Sequence, residues 1–439
     1  MKNYNLLQKI IAGYKRYLLT VFGIILISAS MFLAYKQDSI LDIICSILLI
    51  MSGCIFIVAS IRLIPTGIMS KYMGNSTKGT CGKDIDDYSY EKKILDKGPK
   101  IVAIGGGTGL STMLRGLKEY SSNITAVVTV ADDGGGSGVL RQDLGILPPG
   151  DIRNCIMALA NTEPIMEKLL QYRFQDGMLK GQSFGNLFLA AMDGISSSFE
   201  QAVQRMSDVL AVKGRVLPVT LEDIKLCAEL EDGYIIAGES KIGNHNSFHR
   251  CAIKRVYLEP GRVKPLDEVI HAIGEADVIV LGPGSLFTSI IPNLLVDGVC
   301  SAIKNSKALK VYVCNVMTQP GETDGYTVSD HIKALERHSF EGIVDYCIFN
   351  TSDIPELLKK KYSEDGAQIV RIDFDELDKL GIRFLGGDFV CINNGYIRHD
   401  TRRLAQAIMD LVFENAFGKD NRESAGYVNA IKQYKNMVG

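Results

Sequence analysis

The sequence predicts an α/β fold with a mostly parallel sheet, and three observations support this prediction. Residues 101–109 read as a short strand-forming run that ends in glycines, and a helical pattern follows at once over 110–120. Residues 124–130 form a second β-branched run, typical of a parallel strand buried on both faces. A third buried run, 276–281, ends in glycines before a helical pattern over 286–294. Alternating strands and helices of this kind place ligand chemistry at the carboxyl ends of the strands.

The first glycine turn has the spacing of a nucleotide-binding loop. Gly105, Gly107 and Gly109 alternate, as in loops that set backbone N–H groups and a helix N-terminus against phosphate. The third glycine of the dinucleotide fingerprint is absent, because that position is Leu110. A plain strand-to-helix turn therefore stays an alternative on spacing alone. An Asp-Asp pair ends the second strand, where dinucleotide folds hold ribose hydroxyls, and it favours the nucleotide-binding interpretation.

Three further loops combine small and polar residues near expected helix starts. Residues 134–138 form a second glycine-rich run, whose backbone suits either an anion-binding nest or a flexible surface turn. Asp151 follows a Pro-Pro-Gly turn and is placed to cap the next helix, but capping does not explain Arg153 and Asn154 in its first turn. Residues 181–186 again lead into a helix, so the polar side chains there suit caps or ligand contacts equally.

Composition limits the class of protein. The chain has 439 residues, 46% hydrophobic and 22% charged, which indicates two or three units with a large core. A net charge of −2 argues against a general nucleic-acid binder. The ten cysteines are scattered without a C-x-x-C pair, so neither a disulfide framework nor a structural zinc site is expected. His245 and His249 are four residues apart, but glycine and asparagine around them indicate a loop.

Two apolar runs near the N-terminus predict a transmembrane hairpin, with two buried core helices as the alternative. Residues 17–35 lack charged side chains, and 43–61 form a second apolar run, each long enough to span about 30 Å of hydrocarbon. Basic residues flank both outer ends, which predicts that both face the cytoplasm. We therefore expect a multi-pass protein of the cell membrane with a large cytoplasmic domain. The predicted units are the hairpin 1–65, a linker 66–98, the domain 99–415 and a helical tail 416–439.

Five motifs in register resemble a known family. They are 105–109, 131–138, 149–153, 281–285 and 315–323, and they resemble the YvcK-type gluconeogenesis factors. That family belongs to the superfamily of CofD, the 2-phospho-L-lactate transferase. The resemblance implies a Rossmann-like three-layer domain with a β-rich insertion. It also implies binding of UDP-sugars such as UDP-N-acetylglucosamine, with roles in cell shape, cell-wall precursor supply and growth on gluconeogenic carbon sources.

Three functions remain open at this point. The first is a membrane-tethered regulator that binds a nucleotide-sugar, requires no cofactor, and contacts cell-wall synthesis proteins or a second copy of itself. The second is a CofD-like transferase, in which Asp132 and Asp133 would hold Mg²⁺ while Arg141 and Arg153 meet developing charge on a nucleotide diphosphate-activated phospholactyl-type donor. The third, an NAD-linked oxidoreductase, has fold analogy alone in its favour and ranks last.

The candidate site residues come from the loops and motifs described above. The predicted ligand-binding residues are Gly105, Gly106, Gly107, Thr108, Gly109, Asp133, Gly135, Gly136, Ser137, Arg141, Gly150, Asp151, Arg153, Asn154, Ser183, Asn186, Gly282, Pro283, Gly284, Ser285, Thr288, Asn315, Thr318, Gln319, Glu322 and Thr323. The candidates for catalysis are Asp132, Asp133 and Arg153.

Overall fold

The computed structural model describes part of the chain, in two compact units. The described residues are 21–22, 24–30, 47–54, 56, 92–245, 249, 251–393, 395–415 and 422–438. The units are Met1–Tyr90 and Glu91–Gly439. The second contains every strand found among the described residues and the loops predicted to bind ligand.

Twelve strands are described in the second unit. They are β1 (Ile101–Gly105), β2 (Ile124–Val128), β3 (Arg215–Pro218), β4 (Lys225–Leu230), β5 (Ile235–Ala237), β6 (Ile253–Glu259), β7 (Val278–Leu281), β8 (Leu309–Val313), β9 (Tyr346–Asn350), β10 (Arg383–Gly387), β11 (Val390–Asn393) and β12 (Tyr396–His399). Seven form a sheet in the order β10-β9-β8-β7-β1-β2-β3, and every neighbouring pair is parallel. The predicted α/β class and parallel sheet are confirmed.

The helices of this unit connect and cover the strands. They are α1 (Gly107–Leu117), α2 (Gly135–Leu144), α3 (Pro149–Leu159), α4 (Pro164–Gln171), α5 (Phe184–Gly194), α6 (Phe199–Val209), α7 (Glu239–Ile242), α8 (Asp267–Glu275), the π-helix Leu286–Ile290, α9 (Ile291–Leu294), α10 (Val299–Asn305), α11 (Val328–Arg337), α12 (Glu356–Glu364), α13 (Phe374–Lys379), α14 (Thr401–Asn415) and α15 (Arg422–Val438). Residues of α15 pack on Ile94 and Leu95 through Tyr427 and Ile431.

The strand order creates a crevice at one edge of the sheet. Strands β1, β2 and β7 are buried along their whole length, so helices cover both faces, as their aliphatic, β-branched-rich sequences require. From β1 the chain adds β2 and β3 on one side, and β7 to β10 on the other. The order therefore reverses between β1 and β7. Open α/β sheets bind ligands beyond the carboxyl ends of the strands at such a switch point.

Two smaller sheets adjoin this core in sequence. Strands β5, β4 and β6 form an antiparallel three-stranded sheet, which is the predicted β-rich insertion. Strands β11 and β12 form an antiparallel hairpin that the sequence analysis missed. The alternating exposed residues of these short strands give a weaker signal than the buried runs of the central sheet.

Two local predictions are wrong. The glycines at 134–138 do not form an open loop, because helix α2 begins at Gly135 after an extended Gly134. The sequence also predicts a strand over 368–373, whereas Ile369 and Arg371 make isolated bridges and α13 follows from Phe374. In both places the local propensity is weak, and packing on neighbouring elements decides the structure.

The membrane prediction is also corrected. Among the described residues, no single helix is long and apolar enough to cross a membrane. A bent pair, Leu286–Leu294 with Val299–Asn305, passes by length and composition only, and Leu286 and Phe287 within it are fully buried in the core. The predicted spans 17–35 and 43–61 lie partly outside the described residues. The two transmembrane helices are not supported, and the multi-pass membrane location predicted from them is wrong.

Replacing Gly116 by alanine is expected to lower the free energy of unfolding by about 2–3 kcal/mol. Helix α14 crosses α1 at this glycine, and a Cβ there would overlap the Thr401 carbonyl oxygen and lie 2.7 Å from the Ala405 Cβ. Gly274→Ala in α8 is the matched control, because its Cβ would meet nothing within 4 Å. The control should be neutral or slightly stabilising in urea unfolding. Equal stability of both variants would show that the two helices can separate without cost.

Candidate functional site

A cleft of about 600 Å³ lies at the switch point between β1 and β7. Its walls are the loops that follow β1, β2, β7 and β8, together with residues of α7, α12 and β12. The lining residues are Gly106, Gly107, Thr108, Gly109, Thr112, Thr129, Asp132, Asp151, Glu239, Pro283, Gly284, Ser285, Thr288, Ser289, Asn315, Val316, Met317, Thr318, Gln319, Pro320, Tyr362, Asp365, Ala367, Ile397, Arg398 and His399. The volume suits a nucleotide-sized ligand.

The loops after β1 and β7 pack directly against each other. A Cβ on Gly109 would lie 2.6 Å from the Pro283 carbonyl oxygen, so a glycine is required for this approach. The amide of Asn315 donates to the Gly284 carbonyl at 2.8 Å, and the amide of Gln319 donates to the Ser285 hydroxyl at 2.6 Å. The loop after β8 thereby holds the loop after β7 in place.

Acidic side chains already contact two helix N-termini at this edge. The Asp151 carboxylate accepts the Gly107 N–H at the start of α1, and a Cβ on Gly106 would lie 2.6 Å from its Oδ2. The Glu322 carboxylate accepts the Phe287 N–H at the start of the π-helix, and also bonds to Thr288. The glycine-rich sequences before these helices predict phosphate binding at their N-termini, and a phosphate here would face carboxylates as well as N–H groups.

Carboxyl groups in and beside the cleft form an acidic cluster. Burial and the nearby Asp132 raise the pKa of Asp151 to about 6, partly offset by the Gly107 N–H. Burial, and then Asp132, Asp133 and Asp151, raise the pKa of Glu239 to about 7. Burial and Glu239 raise the pKa of the buried Glu322 to about 8. These carboxyl groups therefore hold protons at pH values where isolated carboxyl groups have lost them.

The cleft lining also carries a cation. Arg398 on β12 is the one lysine or arginine that lines the cleft among the described residues. Tyr362 of α12 fixes this strand, because its hydroxyl accepts the Ile397 N–H at 2.9 Å. His399 lies beside it, and burial lowers its pKa to about 4, so the ring is neutral. Its Nδ1 has no protein partner, which leaves one ring nitrogen for a ligand.

The structure separates the predicted site residues into groups. Those that line the cleft are Gly106, Gly107, Thr108, Gly109, Asp132, Asp151, Pro283, Gly284, Ser285, Thr288, Asn315, Thr318 and Gln319. Residues that support these loops without lining the cleft are Gly105, Gly150, Gly282, Glu322 and Thr323, whose hydroxyl accepts the Gln319 N–H. Their roles in ligand binding stay predictions.

Two predicted residues face elsewhere. Asp133 accepts the Ser240 N–H at 2.8 Å and so fixes the first turn of α7. Arg141 donates to the Asp223 carboxylate and to the Ile224 carbonyl. Neither lines the cleft. The remaining predicted residues, Gly135, Gly136, Ser137, Arg153, Asn154, Ser183 and Asn186, lie on α2, α3 and the start of α5.

Several cleft residues were not predicted from the sequence, and four of them carry the charges and hydrogen-bonding groups described above. Glu239, Tyr362, Arg398 and His399 lie in segments without glycine-rich motifs, far from the β1 loop in sequence. The residues next to a Tyr or an Arg in a helix or short hairpin do not indicate whether its side chain contacts a ligand. Only the fold brings them to the switch point.

No ready-made metal site is present among the described residues, since no group of three or more His, Cys, Asp or Glu side chains is placed to hold a metal ion. Mg²⁺ does not need three protein ligands, because one or two carboxylates together with substrate phosphates and water complete its coordination. Asp132 and Asp151 both line the cleft and lie close enough for Asp132 to raise the pKa of Asp151. This pair fits Mg²⁺ better than Asp132 with Asp133.

Known proteins share this fold and sequence. The profile of the family described as 2-phospho-L-lactate transferase CofD matches residues 101–390. The gluconeogenesis factor of Bacillus subtilis (strain 168) is 50% identical over 317 residues, which cover 72% of this chain and 99% of its own. The chain belongs to the gluconeogenesis factor family, and its domain is CofD-like.

Further relatives agree with this assignment. A Clostridium acetobutylicum member of the gluconeogenesis factor family is 56% identical over 346 residues, 79% of this chain and 77% of its own. A crystal structure of a Bacillus halodurans protein superposes with a TM-score of 0.69 at 49% identity, covering 71% of this chain and 99% of that chain. The family resemblance inferred from the five motifs is confirmed.

Proposed function

We propose that this protein binds a nucleotide diphosphate-sugar, such as UDP-N-acetylglucosamine, in the cleft together with Mg²⁺, and regulates cell-wall precursor supply, cell shape and gluconeogenic growth. The supporting observation is the set of charges that lines the cleft. One cation, Arg398, shares the lining with the neighbouring carboxylates of Asp132, Asp151 and Glu239 and with Asp365. The family name of its relatives fits a regulatory role in gluconeogenesis.

The charges suggest how such a ligand is accommodated. A diphosphate beside the glycine loops would meet the Asp132 and Asp151 carboxylates at close range, so it needs a countercharge. Mg²⁺ held by these carboxylates and by phosphate oxygens supplies it. Arg398 offers a planar, permanently charged group to the distal phosphate or the sugar. Tyr362 positions Arg398 through the Ile397 N–H.

A CofD-like transferase is the second candidate, and a specific observation favours it. Asp151 and Glu239 line the cleft with pKa values of about 6 and 7. Groups that titrate near neutral pH can accept a proton from an attacking hydroxyl. In this function the acceptor hydroxyl would attack the phospholactyl phosphorus of the nucleotide diphosphate-activated donor, the P–O–P bond would break, and the nucleoside monophosphate would leave. Mg²⁺ would neutralise charge on the donor.

Isothermal titration calorimetry with the purified full-length chain tests the proposal. UDP-N-acetylglucosamine should bind saturably in the presence of Mg²⁺, and removing the metal with EDTA should weaken binding by about tenfold or more. NAD serves as the control ligand and should not compete. Phosphorus NMR of the same sample should show an intact nucleotide-sugar after prolonged incubation. Absence of binding would refute the proposal. Steady release of UMP or UDP would show that the protein is an enzyme and not a non-catalytic regulator.

A further inference from the structure

A second polar cluster lies outside the cleft lining, behind Asp151. It consists of Arg153, Arg173, Gln182, Ser183 and Asn186, and is called the Arg153 cluster below. The Arg153 guanidinium donates to the Ser183 hydroxyl at 2.9 Å and, from its other terminal nitrogen, to the Asn154 side-chain oxygen at 2.7 Å. Arg173 lies close enough to lower the pKa of Arg153, after the larger effect of burial. Two cations are therefore held near each other.

Three buried polar atoms in this cluster have no protein partner. They are the Nε of Arg153, the Oε1 of Gln182 and the Oδ1 of Asn186. Gln182 is 7% exposed and Asn186 is 3% exposed, so bulk water does not satisfy them. Buried polar groups in native proteins are nearly always hydrogen-bonded, and each exception calls for an explanation. Arg153 and the Asn186 N–H both donate to the hydroxyl of Ser183, which follows Gln182 in the chain. One unpaired donor and two unpaired acceptors therefore lie on neighbouring residues and indicate a missing ligand with matching groups.

The start of helix α2 adjoins the same place. The Gln182 Oε1 lies 2.9 Å from the position that a Cβ on Gly136 would take, whereas a Cβ on Gly135 would meet nothing within 4 Å. Helix α2 has neither a side-chain cap nor an acidic residue in its first turn. Its first N–H groups and positive dipole end add to the two guanidinium groups and favour an anion beyond the Gly134 N–H, which the Asp132 carboxylate already accepts at 2.9 Å.

We propose that the Arg153 cluster binds a phosphorylated polyhydroxyl compound of the sugar-phosphate class. The phosphate accepts from Arg153, Arg173 and the first turn of α2, and hydroxyl groups donate to the Gln182 and Asn186 side-chain oxygens. A bare oxyanion only accepts hydrogen bonds and would leave both amide oxygens unpaired. A neutral polyol would bring no negative charge to Arg173, whereas Arg153 is already attracted by the nearby Asp151 carboxylate. The combination of both functions in one molecule satisfies all three unpaired atoms.

Isothermal titration calorimetry with the full-length chain tests the Arg153 cluster, with glucose 6-phosphate as the probe. Glucose and inorganic phosphate are titrated separately for comparison. Glucose 6-phosphate should bind at least about tenfold more tightly than either. Equal affinity for inorganic phosphate would overturn the hydroxyl contacts. No binding of glucose 6-phosphate at millimolar concentration would overturn the proposal.

Two variants locate the binding. Arg173→Gln alters an exposed side chain and should weaken glucose 6-phosphate binding about tenfold. Arg205→Gln is the matched control, because it is also an exposed arginine that donates to a loop carbonyl, that of Ile195. Asn186→Leu should weaken binding at least as much while leaving thermal stability unchanged or raised, since it removes an unpaired buried oxygen. A loss of stability in Asn186→Leu would show a structural role and contradict the proposal.

The site is separable from the nucleotide-sugar cleft. UDP-N-acetylglucosamine binding, measured in the same Arg173→Gln sample, should keep its wild-type value. If Arg398→Ala abolishes glucose 6-phosphate binding and Arg173→Gln does not, the phosphate binds in the cleft and the second site is refuted. Because glucose 6-phosphate is measured directly, failure of UDP-N-acetylglucosamine to bind would refute the proposed function without affecting this inference.

Discussion

Arg398→Ala is expected to weaken UDP-N-acetylglucosamine binding by about 10- to 100-fold, because a hydrogen bond to a charged group contributes about 1.5–3 kcal/mol. Among the described residues, no other lysine or arginine lines the cleft, so nothing there replaces its charge. The Arg398 side chain is exposed on β12 and lies near the Tyr396 ring, so its removal should not unfold the protein. A loss of affinity would therefore reflect the lost ligand contact. Calorimetry at constant Mg²⁺ measures the effect.

The neighbouring positions provide controls for this prediction. Arg402→Ala removes an exposed arginine of α14 outside the cleft lining and should bind like the wild type. Tyr362→Phe removes the hydroxyl that accepts the Ile397 N–H at 2.9 Å, and should cost about tenfold or less, since it disturbs the position of Arg398 without removing its charge. Wild-type affinity in Arg398→Ala would place the phosphates away from this part of the cleft.

The elements that the sequence predicts well have a local cause. Strands β1, β2 and β7 are continuous buried runs, and each run ends where glycines or aspartates begin. A parallel sheet requires such runs, and a strand-to-helix turn against another backbone requires glycine, as at Gly109. The loops after β1 and β7 were therefore predictable as neighbours. The same holds for Asn315 and Gln319, which follow the adjacent strand β8.

The features that the sequence does not predict depend on distant contacts. Asp151 reads as a cap of its own helix, but the fold turns its carboxylate to the Gly107 N–H of α1. Glu322 likewise reaches the Phe287 N–H. The chain also places Arg141 against Asp223, although its position after a glycine run indicates a phosphate contact. The sequence shows which polar residues follow the end of a strand. Only the packing of the folded chain determines which group each of them contacts.

The pH dependence of nucleotide-sugar binding should change sign with Mg²⁺. In the free protein the pKa values of Asp151, Glu239 and Glu322 are raised to about 6, 7 and 8, chiefly by burial, so the acidic cluster gains negative charge between pH 5.5 and 8.5. Without metal, the ionised diphosphate meets growing repulsion, and affinity should fall as pH rises. With Mg²⁺, protons compete with the metal for the carboxylates, so affinity should rise with pH before levelling.

The size of the effect follows from proton linkage. Each proton displaced on binding changes the affinity by at most about tenfold per pH unit, so a rise of about tenfold is expected with Mg²⁺ between pH 5.5 and 7. The stability of the ligand-free protein independently tests the raised pKa values of Asp151, Glu239 and Glu322. Because its folded state binds protons more tightly than the unfolded chain, its stability should fall as pH rises from about 4 through 8.

Asp151→Asn distinguishes two modes of nucleotide-sugar binding. In one, Mg²⁺ bridges the carboxylates and the diphosphate; in the other, the cleft binds the diphosphate directly. The amide can still accept the Gly107 N–H, but it neither titrates nor binds Mg²⁺ well, so the rise in affinity with pH should disappear together with most of the Mg²⁺ dependence. Glu322→Gln is the matched control, since Glu322 is also a buried carboxyl group with a raised pKa but does not line the cleft. It should keep the rise with Mg²⁺. An affinity that falls with pH in the wild type even at saturating Mg²⁺ would mean that protonated carboxyl groups, and not the metal, receive the diphosphate.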